Sequence, residues 1–403
     1  MASRQPEQRE SRSRELRTGL ALGCGSTFLT LAVLELALRL FRPVPPLPGD
    51  LFLATSPLDE GRSARRSLLP GWTGRHTTPE FDVPVRINRR GLRDDEVAIP
   101  APAGTLRILG LGDSFLFGQG VRQEETLDAA LEKALSRRFG CRVEFINAGV
   151  PSFGTADQLD WLKAEGWSYK PDAVLLLFFD NDPQDSIVRE TYTVVGGKLR
   201  PYPRRESATP IPAERLPAVL QRDMFATGAP NRPEPQRSGW LSRHLHLARL
   251  VRQVIAARQP SAVEVSQRQM EERRTLALTT ALLLEIERQC RERDVPFVVA
   301  LMPDPAQTFR RRRAGPSPTS LRDHYAPMTR ALEKAGVRVI DLLPTLRAAD
   351  PTGKTTFFQK DRHLTARGHR VAAEALEQPL ADALAPALAR TDRGSRTAPE
   401  RPQ

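Results

Sequence analysis

The chain has 403 residues, 40% of them apolar and 27% charged, which is long enough to bury a sizeable core and fits a globular protein with some Pro/Arg-rich irregular sequence. Three cysteines, at 24, 141 and 290, are too few for a disulfide framework or a Cys-rich zinc site; one bridge, Cys141 to Cys290, stays open. A formal net charge of +12 favours anionic material, which can be nucleic acid, lipid headgroups or acidic cell-surface polymer.

In chain order, residues 1–17 form a basic lead-in with Arg4, Arg9, Arg12, Arg14 and Arg17. Residues 18–34, "TGLALGCGSTFLTLAVL", carry no charge, and apolar character continues to residue 41 with Glu35 and Arg39 interrupting it. A helix of about 20 residues spans the hydrocarbon layer, so residues 18–41 are expected to be one transmembrane helix. The positive-inside rule then puts residues 1–17 in the cytoplasm and the rest of the chain on the extracytoplasmic, periplasmic side. A cleavable signal peptide competes, but no small-residue cleavage site precedes "RPVPPLPGD". Lipidation at Cys24 would require a longer apolar run before it.

Residues 42–100 read as a proline-rich spacer followed by a small β appendage. Clustered prolines fix φ and hold the chain extended, "FDVPVRIN" alternates like a strand, and "RRGLRDDE" reads as a turn and polar connection. From 101 to 385 strand-like and helix-like runs alternate. "LRILGLG", "RVEFINAG", "DAVLLLFF", "PFVVALMP" and "RVIDLL" are the strands, separated by amphipathic helices such as "EETLDAALEKALSRRF" and closed by "ARGHRVAAEALEQPL". That alternation predicts an α/β fold, a doubly wound three-layer α/β/α arrangement with a central parallel sheet. Residues 186–264 read as an irregular insertion and 386–403 as a disordered tail. The basic run Arg310–Arg313 has no interleaved aromatics, so it reads as a solvated loop and nucleic acid is not an expected partner.

Ligand sites in open α/β sheets form at the carboxyl ends of strands. Four such ends carry polar residues here: Ser114, Asn147 with Gly149, Asn181, and the Asp361/His363 pair before the last helix. The turn at Ser114 can hold a nucleophile, cradle a phosphate or connect a strand to a helix; "GLGDSF" lacks the third glycine of a dinucleotide loop, so the phosphate reading fails. A serine needs a base to accept its proton, and a histidine needs a third group to fix its tautomer, roles that His363 and Asp361 can fill. A developing oxyanion needs donors, for which the Asn181 amide, the Ser114 N–H and an N–H from the loop after Asn147 are suitable types. Asp113 and Asp182 read as local hydrogen-bonding groups, and His369 as facing the neighbours of the last helix. His244 and His246 lack further ligands, so no metal is expected.

"GDSFLFGQGV", "NAGVPSFGT", "FFDND" and "DRHLTARGH" together resemble, in order, the four sequence blocks of the SGNH or GDSL hydrolase family. "INRRGLRDDE" resembles the lead-in of membrane-anchored bacterial members, some of which act on cell-surface carbohydrate esters. The resemblance implies an SGNH/flavodoxin-like fold over roughly 81–385, with Ser114 as nucleophile, Asp361 and His363 completing a triad, and Asn181 as an oxyanion-hole donor. The glycine of the second block has three candidates, Ser152 by counting from Asn147, and Gly154 or Gly149, which supply a similar flexible amide. Many members place the acid three residues before the histidine, where this chain has Lys360; here the acid is two residues before. The expected activity is an acyl-ester hydrolase or O-acyltransferase, without cofactor, acting on an acylated small molecule or polysaccharide and working with cell-envelope polymer assembly partners. The competing expectation is a catalytically weak carbohydrate-binding or assembly module on the same fold.

Overall fold

The computed structural model describes residues 26, 29–31, 33, 36, 53–56, 65–188, 191–201, 262–309 and 320–396. Expectations placed on Cys24, His244, His246, the Arg310–Arg313 cluster and most of the 18–41 segment lie outside the described residues. The chain divides into two units, Met1–Leu47 with Thr227–Ser266, and Pro48–Ala226 with Gln267–Gln403. In the first, residues 26, 29–31, 33 and 36 are helical, with Leu29, Leu31, Val33 and Leu36 exposed. Among the described residues no helix is long and apolar enough to cross a membrane.

The second unit begins with two antiparallel hairpins, β1 (Leu53–Ser56) with β2 (Arg65–Leu68) and β3 (Thr73–Thr77) with β4 (Asp82–Arg86). A five-stranded sheet follows: β5 (Leu106–Gly112), β6 (Val143–Gly149), β7 (Ala173–Phe178), β10 (Phe297–Leu301) and β11 (Arg338–Asp341). Its order is β6-β5-β7-β10-β11 with every pairing parallel. Numbered along the chain the five strands run 2-1-3-4-5, the flavodoxin-like order of a doubly wound fold.

Both faces of that sheet are covered, which is why its strands read as continuous apolar runs rather than alternating ones. Leu109, Leu111, Leu176 and Val299 enter one core with Leu159 of α3 (Thr155–Ala164) and Ile286 of α5 (Ala262–Arg291). Ile108, Leu175, Leu177 and Ala300 enter the other with Leu131 of α2 (Leu127–Phe139) and Leu376 of α10 (Ala366–Arg396). Three layers result, as the alternation of elements predicts.

Several boundaries differ from the sequence reading. The closing helix α10 runs to Arg396, past residue 385, because Leu384 and Ala387 are buried against the sheet and extend the apolar stripe beyond Pro379 and Pro386. Strand β11 stops at Asp341; Leu343 starts the helix Leu343–Ala349, whose early Pro344 is a helix-start signal. The 186–264 stretch opens with order, the end of the helix Asp182–Val188 and then a hairpin of β8 (Tyr192–Val195) and β9 (Lys198–Pro201). No disulfide joins Cys141 and Cys290: Cys290 is in the core on one face of the sheet, and Cys141 packs against the core on the other.

The register sets up the site. Gly112 pairs with Gly149 and Leu177, and Leu301 pairs with Phe178 and Asp341, so all five strands end at one level.

Candidate active site

Strand β5 reaches this edge through two glycines that packing requires. A Cβ at Gly110 would stand 2.3 Å from Phe145 Cε1, and one at Gly112 would stand 2.7 Å from Leu116 Cβ. The chain then turns into the short helix α1 (Ser114–Phe117). Asp113, not Ser114, caps it: Asp113 Oδ1 accepts the Phe115 N–H at 2.8 Å. The Ser114 hydroxyl is thereby released from capping duty, and the helix closes at Gly118 with φ 78°.

The polar connection after β4 does more than connect. Arg93 is 1% exposed, and its guanidinium donates to the carbonyls of Phe117, Gly118 and Val121, satisfying the end of α1, while stacking 4.9 Å from the Phe117 ring centroid. Burial pulls its pKa down to about 10, against the nearby charges of Asp128 and Glu124, which leaves it cationic at neutral pH. Asn147 ties β6 to the same helix by donating to Leu116 O at 2.9 Å. "RRGLRDDE" gives no periodic sign of this role, because a single buried arginine bound to backbone has no pattern.

The other half of the site is a turn before α10. Phe357 and Leu364 form an antiparallel bridge, and the Phe358 N–H donates to His363 O at 2.9 Å. Inside it, Arg362 takes φ 78° and is held by Asp304, which follows β10, with Nη2 2.6 Å from Oδ1. This turn delivers His363 and Asp361 to the edge where Ser114 waits.

His363 Nε2 lies 2.7 Å from Ser114 Oγ, and His363 Nδ1 lies 2.6 Å from Asp361 Oδ1. With Nδ1 protonated and donating to the carboxylate, Nε2 is an acceptor for the serine hydroxyl proton. Gln119, two residues past α1, donates to Asp361 Oδ2 at 3.2 Å, a partner the sequence reading missed although it lies within the first block. Burial alone would raise the Asp361 pKa; the hydrogen bond and charge of His363, with Gln119, outweigh it and leave the carboxyl below its ordinary value. Phe115 packs 4.8 Å from the His363 ring centroid and 4.2 Å from that of Phe179. The site is thus polar at its centre and aromatic at its flank.

Asp113 and Asp182 are both buried. Burial raises the Asp113 pKa to about 6 despite the Phe115 N–H, and it raises Asp182 well above the ordinary range, with the Asp113 charge adding to the effect. His369 is fully buried and its pKa falls to about 3, chiefly from burial and then from the neighbouring charges of Arg93 and His363, so it is neutral.

The expected oxyanion donors are placed unequally. The Gly149 N–H donates to Asn147 Oδ1 at 2.9 Å and the Gly154 N–H to Asp157 Oδ2 at 3.1 Å, so both are engaged. Ser152, one of the three candidates, takes φ 63°, the left-handed conformation that glycine adopts without cost. Asn181 Nδ2 donates to Asp185 Oδ2 at 3.0 Å, and among the described residues no hydrogen bond joins it to Ser114 or His363.

Residues 262–403 match the family model described as SGNH hydrolase-like domain, acetyltransferase AlgX. That stretch contains Asp361 and His363 and not Ser114. No curated protein sequence matches the chain. Among solved structures, a lipase/acylhydrolase from Enterococcus faecalis is 13% identical with a TM-score of 0.36, covering 69% of this chain and 96% of its own. An acetyl-xylooligosaccharide esterase variant from a Geobacillus species is 12% identical with a TM-score of 0.38, covering 70% of this chain and 95% of its own. Over residues 262–403, the stretch that holds Asp361 and His363, the chain is therefore similar to the SGNH hydrolase-like domain.

Proposed function

We propose that the chain is a serine acyl-ester hydrolase or O-acyltransferase in which Ser114 is the nucleophile, His363 the general base and Asp361 the carboxylate that orients it. The observation that carries this reading is the continuous relay Asp361–His363–Ser114, at 2.6 and 2.7 Å. Ser114 Oγ attacks the ester carbonyl carbon as its proton passes to His363 Nε2, and Asp361 stabilises the imidazolium. The tetrahedral oxyanion is held by the Ser114 and Ser152 N–H groups and by the Asn181 amide once it turns from Asp185. Collapse expels the alcohol, which takes the proton from His363, and leaves an acyl-serine. A water or sugar hydroxyl, deprotonated by His363, then attacks the acyl carbon and Ser114 leaves with the proton.

Acetyl is the acyl group favoured by the acetyltransferase description of the matched family, and we read a carbohydrate as the molecule that carries or accepts it. The net charge of +12 suits an acidic polymer. We place the catalytic unit outside the cytoplasm on a single-pass anchor at residues 18–41, a reading supported by the uncharged 18–34 run and by exposed Leu29 and Val33 on helical backbone. A reporter enzyme fused after Pro48 that works only in the cytoplasm would overturn that placement.

The enzymatic reading is tested with Ser114→Ala. Turnover of an aryl acetate and labelling by a serine-reactive phosphonate should both disappear, and unchanged rates would sink the proposal. Mass spectrometry of surface glycans from cells carrying this variant separates the two reactions, since lost acetyl groups mean transfer and excess acetyl groups mean hydrolysis.

A further inference from the structure

We infer that Glu80, outside the α/β sheet, is a positioning residue of the active site that fixes the backbone from which Asp361 and His363 project. The inference rests on the triad reading above.

Glu80 sits in the tip of the β3–β4 hairpin, 279 to 281 positions from the residues it binds. Its Oε1 accepts the Gln359 N–H at 2.9 Å, and its Oε2 accepts the N–H groups of Lys360 and Asp361, each at 2.7 Å. Three consecutive amides thus converge on one carboxylate. Such charge-assisted bonds are roughly twice as strong as neutral ones. The last of them is the peptide nitrogen of Asp361 itself.

The hairpin tip is built to hold this carboxylate still. Thr78 Oγ1 accepts the N–H groups of Glu80 and Phe81 at 3.2 and 3.3 Å, and Thr78 N–H donates to Phe81 O at 2.8 Å. Phe81 packs on Phe358, with ring centroids 5.1 Å apart. Both rings press on Gly120, where a Cβ would stand 2.7 Å from Phe358 and 2.9 Å from Phe81. One contact surface therefore joins the hairpin, the segment after the nucleophile helix and the turn carrying the acid and base.

Other restraints hold the turn elsewhere: the Arg362–Asp304 pair and the Phe358–His363 backbone bond on its His363 side, the Gln359 side chain through Gly353 O and Phe357 O, and the Asp361 carboxylate through Gln119. Glu80 accepts the backbone N–H groups of 359 to 361. Loss of it frees the Asp361 backbone while leaving the fold and the His363 side of the turn in place. Because misplacement of about 1 Å can cost on the order of 100-fold in rate, an effect on kcat is expected without one on substrate affinity.

The experiment uses the full chain with Glu80→Ala, Glu80→Gln and the exposed control Glu374→Ala, assayed with p-nitrophenyl acetate. Rates are referred to sites titrated by a serine-reactive phosphonate, and the low-field proton NMR signal of the His363–Asp361 hydrogen bond is recorded. Glu80→Ala should lower kcat per titrated site roughly 10- to 100-fold, leave KM within about twofold, and broaden or remove the low-field signal. Glu80→Gln, which keeps an acceptor oxygen, should fall between, and the control should match the parent. Wild-type kcat per titrated site in either Glu80 variant overturns the inference, including the case where Glu80→Ala folds poorly and only Glu80→Gln can be measured. Loss of the triad reading is seen separately, as retained turnover in Ser114→Ala.

Discussion

His363 Nε2 stands 2.7 Å from Ser114 Oγ although the two residues are 249 positions apart, and the same ring reaches Asp361 Oδ1 at 2.6 Å. Replacing Asp361 by Asn should preserve the fold but favour the wrong imidazole tautomer, lowering kcat by about 10⁴-fold. The pKa of Asp361 is depressed on folding, so its contribution to stability is present above the ordinary carboxylate range, about pH 4, and is lost as pH falls through the depressed value. Chemical denaturation from pH 2 to 7 should accordingly show a shallower acid loss of stability in Asp361→Asn than in the parent.

Asn181 offers a second check. If its amide turns from Asp185 to the developing oxyanion, Asn181→Ala should lower kcat by about 10²- to 10³-fold with little change in KM. Steady-state kinetics with an aryl acetate decides this, and an unaltered kcat removes Asn181 from the oxyanion hole.

Arg93 makes a prediction about stability. Its planar fork serves three carbonyls at and just past the end of α1, which a lysine ammonium cannot reach together. Arg93→Lys should cost on the order of 2–4 kcal/mol in urea-induced unfolding, from hydrogen bonds made by a charged donor.

Gly110 tests the packing beneath the Ser114 turn. Gly110→Ala places a methyl group 2.3 Å from Phe145 Cε1 and should destabilise by about 1–3 kcal/mol through overpacking. Phe145→Leu in the same chain should return part of that loss, and strict additivity of the two changes would refute the contact as the cause.

His369 links burial to acid stability. Its pKa falls to about 3 in the folded chain, so between the unfolded value near pH 6.5 and that pH the unfolded state binds the additional proton. Stability should therefore decline with acidification across this window, by up to about 1.4 kcal/mol per pH unit for one proton. His369→Phe should flatten that branch in a pH series of denaturation midpoints.

The meeting of Ser114, Asp361 and His363 is legible in the sequence because each follows a strand or precedes the last helix at the carboxyl edge of a parallel sheet, and the resemblance of four blocks narrows the positions. The five sheet strands are legible because burial on both faces leaves unbroken apolar runs such as "DAVLLLFF". Arg93 and Glu80 are not, since each acts on backbone groups far along the chain, from segments without periodicity. The end of α10 is illegible for a related reason: the polar, Arg- and Pro-containing composition after residue 385 suggests disorder, while Leu384 and Ala387 follow a helical stripe into the core. Engagement of the Gly149 and Gly154 amides depends on neighbouring side chains, which residue type alone does not reveal.

The 249 positions between Ser114 and His363 also order the two halves of the site in time. A nascent chain that has emerged through β10 already holds Ser114, but His363 and Asp361 follow only with the turn after residue 357. On the proposed reading, a chain released before that turn therefore carries the serine without its relay.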